Sequence, residues 1–292
     1  MKKLLLILLI NFYSYSQTTF CEYAEITSKM IQDKDYLTAL ELLQEFKADF
    51  PEKKNIIEYQ TALASYHLGY IDKAVAILEN LIEIPDQSSS RFELNTCAFR
   101  YEENDKTYYN LFSKELIWRQ KVKVYELLSD IARSNNEYAK ALELLETSLK
   151  IKRQNKQRYS CGNAAQSDIL NFERKRFDLL VKLEKYKEAN DYGSQLLLYT
   201  TVRKNNPIFL DKILKNLQKE YTISEIKEEL NTNINHIKQG NITINGIHQK
   251  KWYYIIFFRH KIFVPFISSK NLSAEGEKLK KRKNYQYIMN YK

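Results

Sequence analysis

The residue types that carry most enzyme and metal chemistry are few in this 292-residue chain and poorly spaced for it. The four histidines, His67, His236, His248 and His260, would be the first choice as general bases or zinc ligands. No two stand at the H-E-x-x-H spacing, and none lies near a cysteine in a finger-like arrangement, so no metal site is expected. No G-x-S-x-G elbow presents a serine nucleophile. Glu143, Glu146, Glu228 and Glu229 fall in helical runs with lysines nearby, where solvated i,i+4 pairing accounts for them. Gly69, Gly162, Gly193, Gly240, Gly246 and Gly276 are too scattered to cradle a phosphate, which excludes P-loop and dinucleotide fingerprints. These absences read as a non-enzyme, with no catalytic residues and no cofactor.

The amino terminus points to a compartment. Lys2 and Lys3 precede an apolar run from Leu4 to Ile10, and Ser14-Tyr15-Ser16 follows, so residues 1–16 read as a secretory signal peptide cleaved after Ser16. The run is about half of what crosses a bilayer, so a retained anchor is disfavoured. Phe20 immediately before Cys21 does not fit a lipidation site. The mature chain is expected to be exported, periplasmic or secreted, where disulfides persist. With three cysteines, one stays unpaired within a monomer.

Six glycines and four prolines, against about 12% for the two together in average usage, leave too few tight turns for a sandwich or barrel. Four segments share a spacing: a large residue, Ala three positions on, then further positions four and seven after that Ala. They are Tyr36/Ala39/Leu43/Phe46, Ile71/Ala74/Leu78/Leu81, Tyr138/Ala141/Leu145/Ser148 and Tyr186/Ala189/Gly193/Leu196. Pro51 and Pro85 close the first two. Each Ala is preceded by another stretch with helical periodicity, such as Ile57, Ala64 and Leu68. Each unit is therefore a helix, a short turn and a second helix, with Ala as the notch that lets the two helices approach.

This pattern resembles the tetratricopeptide repeat (TPR), a 34-residue helical hairpin. Ala39 and Ala74 are 35 residues apart, close to that period, while Ala141 and Ala189 follow after longer steps. The third and fourth units resemble the longer repeats of the kinesin-light-chain type. In the fourth, Phe177 falls where the family has a small residue and Gly193 where it has a large one. The resemblance implies a mainly α fold, a right-handed α-α superhelix (TPR-like solenoid) with capping helices and a small β-rich C-terminal segment. It places repeats over 17–204, with insertions near 86–112 and 154–165. By register it implies a peptide-binding groove of Tyr59, Leu63, Tyr66 and His67, then Lys123, Glu126, Asp130 and Arg133, then Asn171, Arg174, Asp178 and Lys182. The Lys/Asn set that clamps a carboxyl-terminal peptide in chaperone-binding relatives is missing. In a stacked array Cys97 and Cys161 emerge on the same edge, so a Cys97–Cys161 disulfide is one expectation; the other is two separate thiols. With that pairing Cys21 is the odd one.

Residues 205–239 read as capping helices. Asn206-Pro207 opens the first, and the capping box Thr222-Ile223-Ser224-Glu225 opens the second, drawn to about Lys238. From 240 to 292 the chain is basic and aromatic, carrying nearly all of the net charge of +10. Asn241–Gly246 offers a strand and an Asn-Gly turn, Trp252–Phe258 a second strand, Arg259-His260-Lys261 a turn, and Ile262–Ile267 an edge strand that Pro265 limits, with a basic end from Lys278. The chain reads as an exported scaffold that binds a protein or peptide segment in its groove. The alternative is an envelope-associated sensory module whose tail meets an acidic membrane surface or an acidic partner. Nucleic acid is disfavoured by export.

Overall fold

The computed structural model describes residues 19–84, 97, 100–109, 111, 117–155, 162–198, 207–244, 247–264 and 272–292. The signal segment 1–16, Pro85, Cys161, Asn206 and the Asn245-Gly246 turn lie outside the described residues, as do most of the first expected insertion and half of the second. The chain divides into two compact units, Met1–Leu128 and Ser129–Lys292.

The first unit holds two helical hairpins: α1 (Phe20–Asp33) with α2 (Tyr36–Asp49), and α3 (Lys54–His67) with α4 (Ile71–Ile82). A two-stranded antiparallel hairpin follows, β1 (Arg100–Glu103) and β2 (Lys106–Tyr109). Helix α5 (Ile117–Ser134) spans the division between the units, and its last turns pair with α6 (Tyr138–Gln154). The fourth hairpin is α7 (Gly162–Lys182) with α8 (Tyr186–Gly193). Capping helices α9 (Pro207–Leu217) and α10 (Ile223–Asn233) lead to a meander of β3 (Lys238–Ile244), β4 (Ile247–Phe257) and β5 (His260–Phe263), then α11 (Leu272–Lys280) and α12 (Lys283–Met289).

All four hairpins turn in the same way. Lys34, Gly69, Asn136 and Glu184 adopt left-handed φ of 68°, 83°, 63° and 59°. Each stands two residues before the second helix and five before the notch alanine. The next residue's N–H reaches back to a carbonyl five positions earlier: Asp35 to Met30, Tyr70 to Ser65, Glu137 to Ala132 and Lys185 to Leu180, each 2.9 Å. That is the Schellman closure of a helix, satisfying carbonyls that would otherwise lack donors. The notch alanines Ala39, Ala74, Ala141 and Ala189 expose no surface. The repeat architecture is thus written in the backbone four times over.

Paired positions follow a size rule. Thr27, Ala62 and Ser129, on first helices, are buried, and Leu43, Leu78 and Leu145, each sixteen residues on, are buried on second helices. The fourth hairpin inverts it with Phe177 and Gly193, both buried.

Two sequence expectations are corrected here. Cys97 bonds to Cys21 on α1, across 76 residues, which rules out Cys97–Cys161. Spacing along an array edge had favoured the wrong partner; the insertion instead folds back onto the first helix. The second capping helix ends at Asn233, not near Lys238, because Lys238 already pairs with Tyr254 in the sheet. Its capping box is present, with Glu225 N–H on Thr222 Oγ1 at 3.2 Å and Thr222 N–H on Glu225 Oε2 at 2.7 Å.

The tail is folded rather than loose. Ile255, Phe257, Ile262 and Phe263 are buried with Ile226 and Leu230 of α10 and with Tyr285 and Ile288 of α12. The β4–β5 turn is Phe258-Arg259, one step earlier than expected, and β5 ends at Phe263, before Pro265. Phe258 takes φ 49°; its ring stacks on Tyr221 at 3.8 Å and its N–H donates to Glu229 at 2.7 Å.

A cationic cleft in the second unit

Of the residues expected to line a groove, Arg133, Asp178 and Lys182 come together in a cleft of about 590 Å³. Arg133 ends α5 and Lys182 ends α7, while Tyr138 opens α6. Lys212, Lys215, Asn216 and Lys219 enter from α9 and just beyond it. Phe177, Leu179, Val181 and Tyr138 give the cleft apolar walls.

Five cations therefore face one lining carboxylate, Asp178. Lys212 pairs with Asp178 at 2.7 Å and Lys215 with Asp211 at 2.9 Å. Arg133 lies 3.4 Å from Asp130, which Lys175 also approaches at 2.7 Å. Lys182 and Lys219 instead stand over the rings of Tyr138 and Tyr186, 5.7 and 3.0 Å from the centroids. Neither has an ion pair among the described residues. Cations in the last turn complement the helix dipole, which accounts for Arg133, Lys182 and Lys215 one helix at a time. It does not account for three helix ends converging on one apolar hollow. An anion with an apolar neighbour fits such a place, because its charge meets ammonium groups beside surface that excludes water.

The other expected groove residues do not line this cleft. Arg174 is half-buried, its guanidinium 5.2 Å from the Phe209 centroid, and Asn171 is exposed. Lys123 and Glu126 are half-buried in the first unit, as are Tyr59, Leu63 and Tyr66, while His67 is exposed and stacks on Tyr36 at 4.4 Å. Burial and Lys34 hold the His67 imidazole below its usual range. The lysines of α9 were missed in the sequence, where that helix stood only as a cap. Lys212, Lys215 and Lys219 recur at i, i+3 and i+7, a basic stripe on one helical face.

Several tail cations have partners within the second unit: Lys278 with Glu275 at 2.7 Å, Lys280 with Glu277 at 2.8 Å, and Arg259 with Glu220 at 3.5 Å. Among the described residues no helix is long and apolar enough to cross a membrane, and no group of three or more His, Cys, Asp or Glu is placed to hold a metal.

The fold and cleft define a helical-hairpin repeat protein of TPR-like architecture. No family model matches the chain, and no curated protein matches it. Two solved structures are similar to it, both of the nearly identical TPR-like repeats of a protein described as a kinesin light chain from Podosopora anserina, one a Q17M variant. Each is 15% identical and covers 68% of this chain and 86% of its own, with TM-scores of 0.46 and, for the variant, 0.45.

Proposed function

We propose that the chain is an exported interaction scaffold whose second unit binds an acidic peptide segment in the cleft between the ends of α5, α7 and α9. The observation that carries this reading is the pair Lys182 and Lys219, each over a tyrosine and each turned to a hollow walled by Phe177 and Val181. The ligand that matches is a segment with Asp or Glu flanking one apolar anchor. Tyrosine walls suit it, since they give large contact area at small entropy cost. Export is supported by the apolar amino-terminal run and by a disulfide, which persists outside the cytosol. The tail, folded and ion-paired, is read as cover for the last helices of the solenoid rather than as a docking arm.

Selection of displayed random peptides on the full chain tests this. The expected winners carry acidic residues around a large apolar residue and bind less tightly as salt rises. Lys182→Glu with Lys219→Glu should lose them. Winners without acidic bias, or winners retained by the double variant, would refute the assignment.

A further inference from the structure

The first unit carries a different recognition surface, independent of the cleft in the second. Cys21, Ser28 and Gln32 lie along one face of α1, and Gln60 lies on α3. Tyr109, the last residue of β2, and Leu111 are hydrogen-bonded to Ser28, Gln32 and Gln60. The Gln32 side-chain amide accepts from the Tyr109 N–H at 3.2 Å and donates to the Tyr109 carbonyl at 2.9 Å. Ser28 Oγ accepts from the Leu111 N–H at 3.1 Å, and Gln60 Nε2 donates to the Leu111 carbonyl at 2.8 Å. Ser28 and Gln60 are buried. Tyr109, at the end of β2, and Leu111 thus each have both backbone groups satisfied by side chains of helices. This is how a receptor groove holds a peptide strand, through main-chain bonds that do not depend on the strand's sequence.

Specificity comes from Asp33. Its carboxylate accepts from the Tyr108 hydroxyl at 2.9 and 3.0 Å and pairs with Lys106 at 2.7 Å, which holds the Asp33 carboxyl below its ordinary range. Lys106 and Tyr108 are two apart, so they share one face of the strand. A neighbouring cleft of about 620 Å³ is lined by Glu22, Glu25, Asp33, Asp35 and Glu103 with Lys29. The surroundings are acidic, and the occupant presents a cation and a tyrosine.

An isolated two-stranded hairpin is marginal in water. This one is held by the contacts above and by the Cys21–Cys97 bond, which ties residue 97, ahead of β1, to the same helix. We propose that the face of α1 and α3 bearing these groups is a strand-binding site kept filled by the chain's own Lys106–Tyr109 strand and Leu111, and that opening Cys21–Cys97 lets an extended segment of another protein with a cation-x-tyrosine pair replace them. The opening is a two-electron exchange with a dithiol: its two thiols become one disulfide, and their protons and electrons leave Cys21 and Cys97 as thiols.

A labelled nine-residue peptide with the sequence of Asn104–Phe112 serves as the probe. It should bind the full chain at least tenfold more tightly in dithiothreitol than in the oxidised form. Gln32→Ala, and a probe with Phe at the place of Tyr108, should each weaken binding tenfold or more. Equal binding in both redox states, or none in either, overturns the proposal. Hydrogen exchange on the wild-type chain is the second measurement, needing no variant. On reduction the amides of 100–111 should open while α1 and α3 stay protected; opening of all three together would show the strand to be fixed core and overturn the proposal as well.

Discussion

The ring of Phe177 occupies the space that a side chain at residue 193 would need: a Cβ on Gly193 would stand 2.7 Å from Cε2 and 2.8 Å from Cδ2 of that ring. In the other three hairpins the small residue is on the first helix and the leucine on the second. Here both are exchanged, and the seam stays filled. The two departures from the repeat pattern are one compensated change.

That exchange predicts strong coupling. Gly193→Ala gains about 1 kcal/mol of helix propensity, yet the overlap lies against a ring buried in the second unit's core, with Ile213 Cγ1 also at 3.3 Å. Overpacking of about 1–3 kcal/mol should prevail. Phe177→Leu alone should be destabilising by leaving a cavity, and should cost less in the Gly193→Ala background. A double-mutant cycle in urea checks this, with a coupling of about 1 kcal/mol or more expected.

The shared turn makes a second prediction. A left-handed conformation costs a residue with a side chain about 1–2 kcal/mol, while glycine gives back part of that as unfolded-state entropy. Lys34→Gly and Glu184→Gly should therefore stabilise their units by about 0.5–1 kcal/mol each. Gly69→Ala meets no atom within 4 Å, so its expected loss of about 1 kcal/mol is backbone strain alone. Chemical denaturation of the three variants separates the signs.

The disulfide can be tested covalently. Peptide mapping without reductant should recover Cys21 joined to Cys97. By loop entropy, a closure spanning 76 residues contributes about 4.5 kcal/mol, so Cys97→Ser should destabilise the first unit by an amount of that order.

A buried carboxyl supplies the pH prediction. Glu173 is enclosed beside Arg176, whose guanidinium donates to it at 3.2 Å and to Glu146 at 2.8 Å and lies between the rings of Phe172 and Tyr192. Burial, only partly offset by Arg176, pushes the Glu173 carboxyl up to about 7. Its folded value is above its unfolded one, so its contribution is fully present below about 4.5 and is lost as pH rises through 7. Glu173→Gln removes the titration, and its melting temperature relative to wild type should rise between pH 5 and pH 8. A flat difference over that range would contradict the assignment.

Much of this architecture was legible because it depends on spacing. Ala39, Ala74, Ala141 and Ala189 recur at fixed distances from a large residue, and helix packing demands a notch there. Thr222 and Glu225 announced their capping box in the same local way. What the sequence hid was nonlocal or chemically silent. Lys34 and Glu184 hold left-handed turns that glycine would have advertised. Asn104 and Asp105 turn the β1–β2 hairpin with φ of 51° and 59° and no glycine between them. The partner of Cys97 depended on an insertion folding back. Arg133 and Lys182, two of the expected groove positions, line the cleft, but Lys212, Lys215 and Lys219 join them only through the packing of α9 on the fourth hairpin.

Zero-length carbodiimide coupling of a selected acidic peptide, read by mass spectrometry, tests the cleft most directly. The account predicts amide bonds from the peptide's carboxylates to Lys182 and Lys219, with Lys212 and Lys215 next. Coupling concentrated on Lys278, Lys280, Lys281 and Lys283 of the tail, or spread evenly over the surface, would contradict it.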